Sequence, residues 1–292
     1  MADRQGHGKK LSYYDFEETT VYAARADQRF SYCCYVPRDY DEQGSKTYAL
    51  AVLVHGTGRG NAWLRSAFAD FANANDCIVL APLFASGIIE QGELSNYKLI
   101  KFRDIRYDHV LLSMVDELAG KYRIETGRFL LYGFSGGGHF THRMLYLHPE
   151  RLLGISIGAP GVVTLLDQER DWWVGVRDIE AQFGKKLNLS AMREVAVHMV
   201  IGAEDTETWE ITITPDDSWW MEDANIAGAN RLDRMASLKQ SFARHGIKAC
   251  RDIVPGASHE QAKLIAPVKD FFARTLRAHR ERSAAVPQRE VG

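Results

Sequence analysis

The chain has 292 residues, with 36 lysines and arginines against 38 aspartates and glutamates, for a formal net charge of −2. So balanced a chain offers no basic field for nucleic acid or an anionic membrane, and neither is expected as a partner. Its 46% hydrophobic and 25% charged residues exclude long disorder, a collagen-like repeat or a coiled coil, and the length suffices for one large α/β domain or two small ones without disulfide staples.

In chain order, residues 1–10 are polar with no apolar run behind them, so no secretory signal is expected and a reducing cytoplasm is the expected location. Residues 13–16, 20–24 and 29–36 read as short antiparallel lead-in strands. Near-continuous apolar runs follow at 49–55 (ALAVLVH), 77–84 (CIVLAPLF), 129–133 (FLLYG), 153–159 (LGISIGA), 195–202 (VAVHMVIG) and 249–254 (ACRDIV). Runs of this kind suit parallel strands covered on both faces. Helical patterns alternate with them at 63–73, 108–122, 137–147 and 229–245, and a last helix is expected to open with Pro267 and bury Val268, Phe271, Phe272 and Leu276. Residues 278–292 read as a loose polar tail. Cys33, Cys34, Cys77 and Cys250 form no CxxC pair or zinc ligand set, and buried free thiols are expected. The βαβα order predicts an α/β fold with a doubly wound, mostly parallel sheet.

The charge is unevenly distributed. Residues 162–230 hold 14 acidic and 5 basic residues, a net of −9, which leaves +7 on the rest. They also hold five of the six tryptophans. The expected organisation is therefore a core of residues 1–161 and 231–277 that includes the strand 195–202, with cap insertions at 162–194 and 206–230. Trp172, Trp173, Trp219 and Trp220 are candidate substrate-binding residues, and the alternative is that they form the cap's own small core. An acidic, aromatic cap suggests a small neutral or cationic ligand with an apolar or aromatic face.

The strongest local signal is Gly133-Phe134-Ser135-Gly136-Gly137, a GxSxG pattern between a predicted strand and a predicted helix. A serine on so sharp a turn has its Oγ at the tip of the sheet above a helix N-terminus, and the flanking glycines let the two backbones pass closely. A hydroxyl needs a base, the base needs an orienting carboxylate, and the oxyanion needs two donors. Each has a candidate just past a predicted strand: His259 in VPGASHE, Asp205 in IGAED, and the N–H groups of Thr57 or Gly58 in HGTG, aimed at the same point as that of Gly136. Glu204 and Glu207 rival Asp205.

The HGTG, GFSGG, GAED and GASH turns, in this order, resemble the α/β-hydrolase fold family over about residues 29–277. Within it, residues 68–83 and the GASHE turn are similar to polyester-depolymerase-like and dienelactone-hydrolase-like serine esterases. The resemblance implies Ser135 as nucleophile, His259 as general base and acid, Asp205 as its orienter, and Thr57 and Gly136 as oxyanion hole. It departs where Thr206-Glu207 follows Asp205 in place of a small apolar residue and Pro, and where Thr57 replaces a third glycine. It implies an ester hydrolase with no cofactor and no metal. An amidase, lactonase or acyltransferase would use the same residues, and a non-catalytic binding module of this fold is the alternative of another class.

Other features read as structural. His139 and His142 are expected on a helix surface, and His55 as a brace for the oxyanion turn. The basic run Lys98, Lys101, Arg103 and Arg106 is read as a solvated loop, with a substrate carboxylate as its alternative ligand. A homo-oligomer is compatible with the sequence but not indicated by it.

Overall fold

In the computed structural model, which describes residues 11–285, the apolar runs become strands and the amphipathic runs become helices. The strands are β1 (Glu17–Glu18), β2 (Tyr22–Ala23), β3 (Ser31–Val36), β4 (Ala49–Val54), β5 (Cys77–Leu83), β6 (Lys101–Phe102), β7 (Ile105–Arg106), β8 (Phe129–Phe134), β9 (Leu152–Gly158), β10 (Ala196–Gly202) and β11 (Ala249–Val254). The helices are α1 (Asn61–Ala67), α2 (Ala69–Ala74), α3 (Tyr107–Ala119), α4 (Gly136–Leu147), α5 (Ile179–Phe183), α6 (Leu189–Glu194), α7 (Arg231–Arg244) and α8 (Gln261–Ala285). Nine strands form one sheet in the order β1-β3-β5-β4-β8-β9-β10-β11, with β2 also paired to β3, while β6 and β7 pair separately. Pairing is parallel from β5 to β11 and antiparallel at β3.

The chain crosses from β4 to β5 in one direction and from β5 through β8, β9 and β10 to β11 in the other. Right-handed crossovers then put α1 and α2 on one face and α3, α4 and α7 on the opposite one. Helix α8 joins the first group, where Phe272 lies 6.3 Å from Phe68 and 6.0 Å from Phe71, ring to ring. With both faces covered, every residue of β4, β8 and β9 is buried. Strand β11, at the edge, exposes Cys250, Arg251 and Asp252, the charged edge that discourages further pairing. The winding reverses between β4 and β8, and a sheet of this type leaves its ligand crevice at that reversal, beyond the strands' carboxyl ends.

Several expected elements differ. Residues 13–15 form a 3₁₀ turn rather than a strand. The helix expected at 63–73 is two, α1 and α2, meeting at the buried Phe68. Helix α8 starts at Gln261, with Pro267 inside it, because Leu264 and Ile265 extend the buried face upstream of the proline. The same helix continues to Ala285, so the tail expected from 278 is helical that far, and the rest of it lies outside the described residues, as do residues 1–10. All four cysteines are free, and Cys250 is exposed rather than buried because it sits on the edge strand. Among the described residues no helix is long and apolar enough to cross a membrane.

The segments between β9 and β10 and between β10 and α7 contain only α5, α6 and turns. They pack on each other through a small cluster of their own, Val162, Trp173, Val174, Ile213 and Ala224, with Trp172, Trp219 and Met221 against it.

Candidate active site

Ser135 links β8 to α4 with φ 55° and ψ −115°. A left-handed φ is unfavourable for a residue bearing a Cβ; here the packing of the two elements imposes it. A Cβ on Gly133 would lie 2.1 Å from the Gly137 oxygen, and one on Gly137 would lie 2.3 Å from the Val54 oxygen, so only glycine lets β8, β4 and α4 approach this closely. The Ser135 N–H donates to the Gly158 oxygen at 2.8 Å, and its carbonyl accepts from His139 at 3.1 Å. The serine is thus held above the first turn of α4, whose N–H groups face developing negative charge.

The turn after β4 abuts this elbow. A Cβ on Gly56 would lie 3.6 Å from Ser135 Cβ, and one on Gly136 3.3 Å from Thr57 Oγ1. His55 braces the turn: its Nε2 accepts from the Phe84 N–H at 2.9 Å and its Nδ1 donates to the Gly56 oxygen at 2.8 Å. Burial lowers its pKa from 6.5 to about 4, so the ring stays neutral. Arg59 ties the turn to its neighbours by donating to the oxygens of Thr57 at 2.6 Å, Leu94 at 2.9 Å and Phe84 at 3.2 Å.

His259 and Asp205 come from two interlocked turns. A Cβ on Gly202 would lie 2.2 Å from the Ala257 oxygen, and the Glu204 N–H donates to that oxygen at 2.9 Å. This fixes Asp205 Oδ2 at 2.7 Å from His259 Nδ1. Asp205 is buried, whereas its rivals Glu204 and Glu207 are exposed. The other carboxylate oxygen of Asp205 accepts from Arg231 Nη1 at 3.1 Å, and Arg231 also pairs with Glu210. The ring of Phe134, next to the serine, stacks on His259 with centroids 4.5 Å apart.

Ser135, His259, Thr57 and Gly58 line one cleft of about 490 Å³, together with Arg59, Trp63, Phe134 and Glu210. The expected catalytic and oxyanion residues are therefore brought together. The four tryptophans expected to bind substrate are not: they line a separate groove with Leu99 and Phe183. Trp173 donates its indole N–H to the Trp219 oxygen at 2.9 Å with the two rings 5.2 Å apart, and Trp172 packs on Phe183 at 4.8 Å. Inserts with so little regular structure use large rings as their own core: Trp173 is buried there with Trp172 and Trp219 packed against it, while Trp220 stays exposed. The premise of a neutral or cationic ligand weakens with this, since Glu210 is the only residue of the acidic insert on the cleft wall.

Arg231, Arg59 and Trp63 were missed. Arg231 sits 26 residues from Asp205 in the chain with no local pattern to link them. Arg59 directly follows the HGTG turn, and Trp63 is the tryptophan outside the insert. His139 and His142, expected at a helix surface, are buried: their Nε2 atoms accept from the N–H groups of Val162 and Thr164, both at 3.0 Å, pinning the first insert to α4. Asp108, His109 and His148 lie within metal-ligand range of one another. However, His148 is engaged by Asp108 at 2.8 Å and Lys185 at 3.0 Å, and Arg106 pairs with the same aspartate, so the group reads as a structural brace.

No protein-family model and no curated protein matches the sequence. Solved structures do match. Poly(aspartic acid) hydrolase-1 from Sphingomonas sp. KT-1 superposes with a TM-score of 0.65 at 18% identity, covering 82% of this chain and 92% of that one. LpqC, a poly(3-hydroxybutyrate) depolymerase from Bordetella parapertussis, gives 0.62 at 19% identity over 83% of each chain. A ferulic acid esterase gives 0.60 at 11% identity, covering 90% of this chain and 99% of that one. The chain has the α/β-hydrolase fold shared by such esterases and depolymerases.

Proposed function

We propose that the protein is a serine hydrolase that cleaves small carboxylic esters through Ser135, His259 and Asp205. His259 takes the proton of Ser135 as Oγ attacks the ester carbonyl, forming a tetrahedral intermediate. The N–H of Gly136, with that of Thr57 or Gly58, holds the oxyanion; His259 then protonates the leaving alcohol, and water releases the acyl group by the same route. Asp205 holds the imidazole with Nε2 toward the serine and offsets the charge His259 acquires. The observation that carries the reading is the buried Asp205 carboxylate 2.7 Å from His259 Nδ1, in the turn behind a cleft that also exposes the strained Ser135. The esterase and depolymerase names among the structural neighbours support an ester substrate.

The test is turnover of an ester panel graded by acyl length and aromaticity. Ser135→Ala is expected to lose about 10⁴-fold or more in kcat, and Asp205→Asn about 10³- to 10⁴-fold, with both variants folded by circular dichroism. Ester turnover within about 10-fold of wild type in Ser135→Ala would end the proposal.

A further inference from the structure

We infer that Lys98 is a substrate-recognition residue of this cleft, binding a carboxylate that the ester carries close to its scissile carbonyl. The inference rests on the reading of Ser135 as nucleophile. Lys98 Cε lies 2.9 Å from the point a Cβ on Gly136 would occupy, and the Tyr97 hydroxyl and Thr57 Oγ1 surround the same point at 2.6 and 3.3 Å. Lys98 Cε is therefore packed beside Gly136, whose N–H is one of the oxyanion donors, and the ammonium is one bond further on.

Its backbone is tied down on both sides. The Lys98 oxygen accepts from the buried Arg143 at 2.7 Å, the Tyr97 hydroxyl donates to the His55 oxygen at 2.9 Å, and the Trp172 indole donates to the Leu99 oxygen at 3.2 Å. The insert tryptophan thus helps to place the lysine.

Among the described residues the only hydrogen-bond partner of the Lys98 ammonium is Ser95 Oγ at 3.2 Å, and no carboxylate lies within ion-pair distance. An ammonium has three donors, so two remain for a ligand. Arg59, on the cleft wall, likewise donates only to neutral oxygens, those of Thr57, Phe84, Leu94 and the Asn96 side chain. The carboxylate on that wall, Glu210, is already engaged by Arg231. A half-buried cation without a counter-ion pays desolvation that an incoming carboxylate repays. Burial, with help from Arg59 and Arg231 and against Glu93 and Glu210, moves the Lys98 pKa from 10.5 down to about 8. The ammonium is therefore mainly charged at neutral pH and discharges as pH rises through that value.

Two matched ester pairs test this. p-Nitrophenyl hydrogen glutarate against its methyl ester varies charge on the acyl side; 4-acetoxybenzoate against methyl 4-acetoxybenzoate varies it on the alcohol side. In at least one pair, wild-type kcat/KM should favour the carboxylate by about 10-fold or more, the gain of a charge-assisted hydrogen bond. That ratio should collapse toward one in Lys98→Met, survive within about 3-fold in Lys98→Arg, and fall in wild type as pH rises past about 8. No wild-type preference in either pair, or an equal loss for both esters in Lys98→Met, would overturn the inference. Fluorophosphonate labelling in parallel separates the two claims. Wild type that does not label at Ser135 sinks the nucleophile reading, whereas wild type that labels but does not discriminate sinks only the carboxylate site.

Discussion

Asp205 is a buried carboxylate with two hydrogen-bonding neighbours, His259 on one oxygen and the Arg231 guanidinium on the other. Taking a carboxylate out of water is affordable only when its oxygens are engaged, and removing one partner leaves charge stranded. Arg231→Met should therefore cost about 3–5 kcal/mol of stability by urea unfolding and lower kcat, with Arg231→Lys recovering part of both. A Met variant as stable as wild type would show that Arg231 is a bystander. The same residue shows where reading the sequence stops. Ser135, Asp205 and His259 each sit in a turn whose glycines mark it locally, so each could be found from a few neighbours. Arg231, Lys98 and Arg59 come to Asp205, Gly136 and the cleft wall through long side chains whose direction depends on tertiary packing; the basic run around Lys98 raised a carboxylate ligand only as an alternative, and no local pattern marked Arg231 or Arg59.

The elbow between β8 and α4 is defined by what it lacks. With the Gly133 Cβ position only 2.1 Å from the Gly137 oxygen, and backbone rather than a mobile side chain in the way, Gly133→Ala must push strand and helix apart. The expected cost is about 3 kcal/mol, the upper end for overpacking, and kcat should drop because Ser135 moves off its position. Thermal melts and ester turnover on one sample read both; an Ala variant with wild-type melting and turnover would contradict this account of the elbow. The central strands were readable because burial on both faces makes them almost wholly apolar. Element ends were not: Pro267 looked like a helix start, but Leu264 and Ile265 anchor an earlier turn. The insert tryptophans were located in sequence with two readings left open, because composition marks a cluster of aromatics without saying whether it faces ligand or itself; the structure puts them on a groove apart from the serine.

At the scale of the whole molecule, acid should be the weak side of the stability profile. His55, His139, His142 and His198 are buried, and burial lowers each pKa below the ordinary 6.5, to about 4 for His55. Between those folded values and 6.5 the unfolded chain takes up protons that the folded chain refuses. Stability is therefore full above about pH 6.5 and declines as pH falls toward 4. Urea unfolding at pH 7, 6 and 5 should show a slope of more than one proton, each worth about 1.4 kcal/mol per pH unit; a flat profile over that range would contradict it. The modest net charge conceals a −9 insert on a +7 remainder. That split marked where the chain departs from the regular βα alternation, yet only Glu210 carries the insert's negative charge to the cleft wall.

The central claim is that Ser135 is the nucleophile, and the most direct measurement is the site of a covalent adduct. After reaction with a fluorophosphonate, peptide mass spectrometry should find one adduct, on Ser135, with none in Ser135→Ala and greatly slowed labelling in His259→Ala. An adduct on another residue, or stoichiometric labelling of Ser135→Ala, would contradict the account.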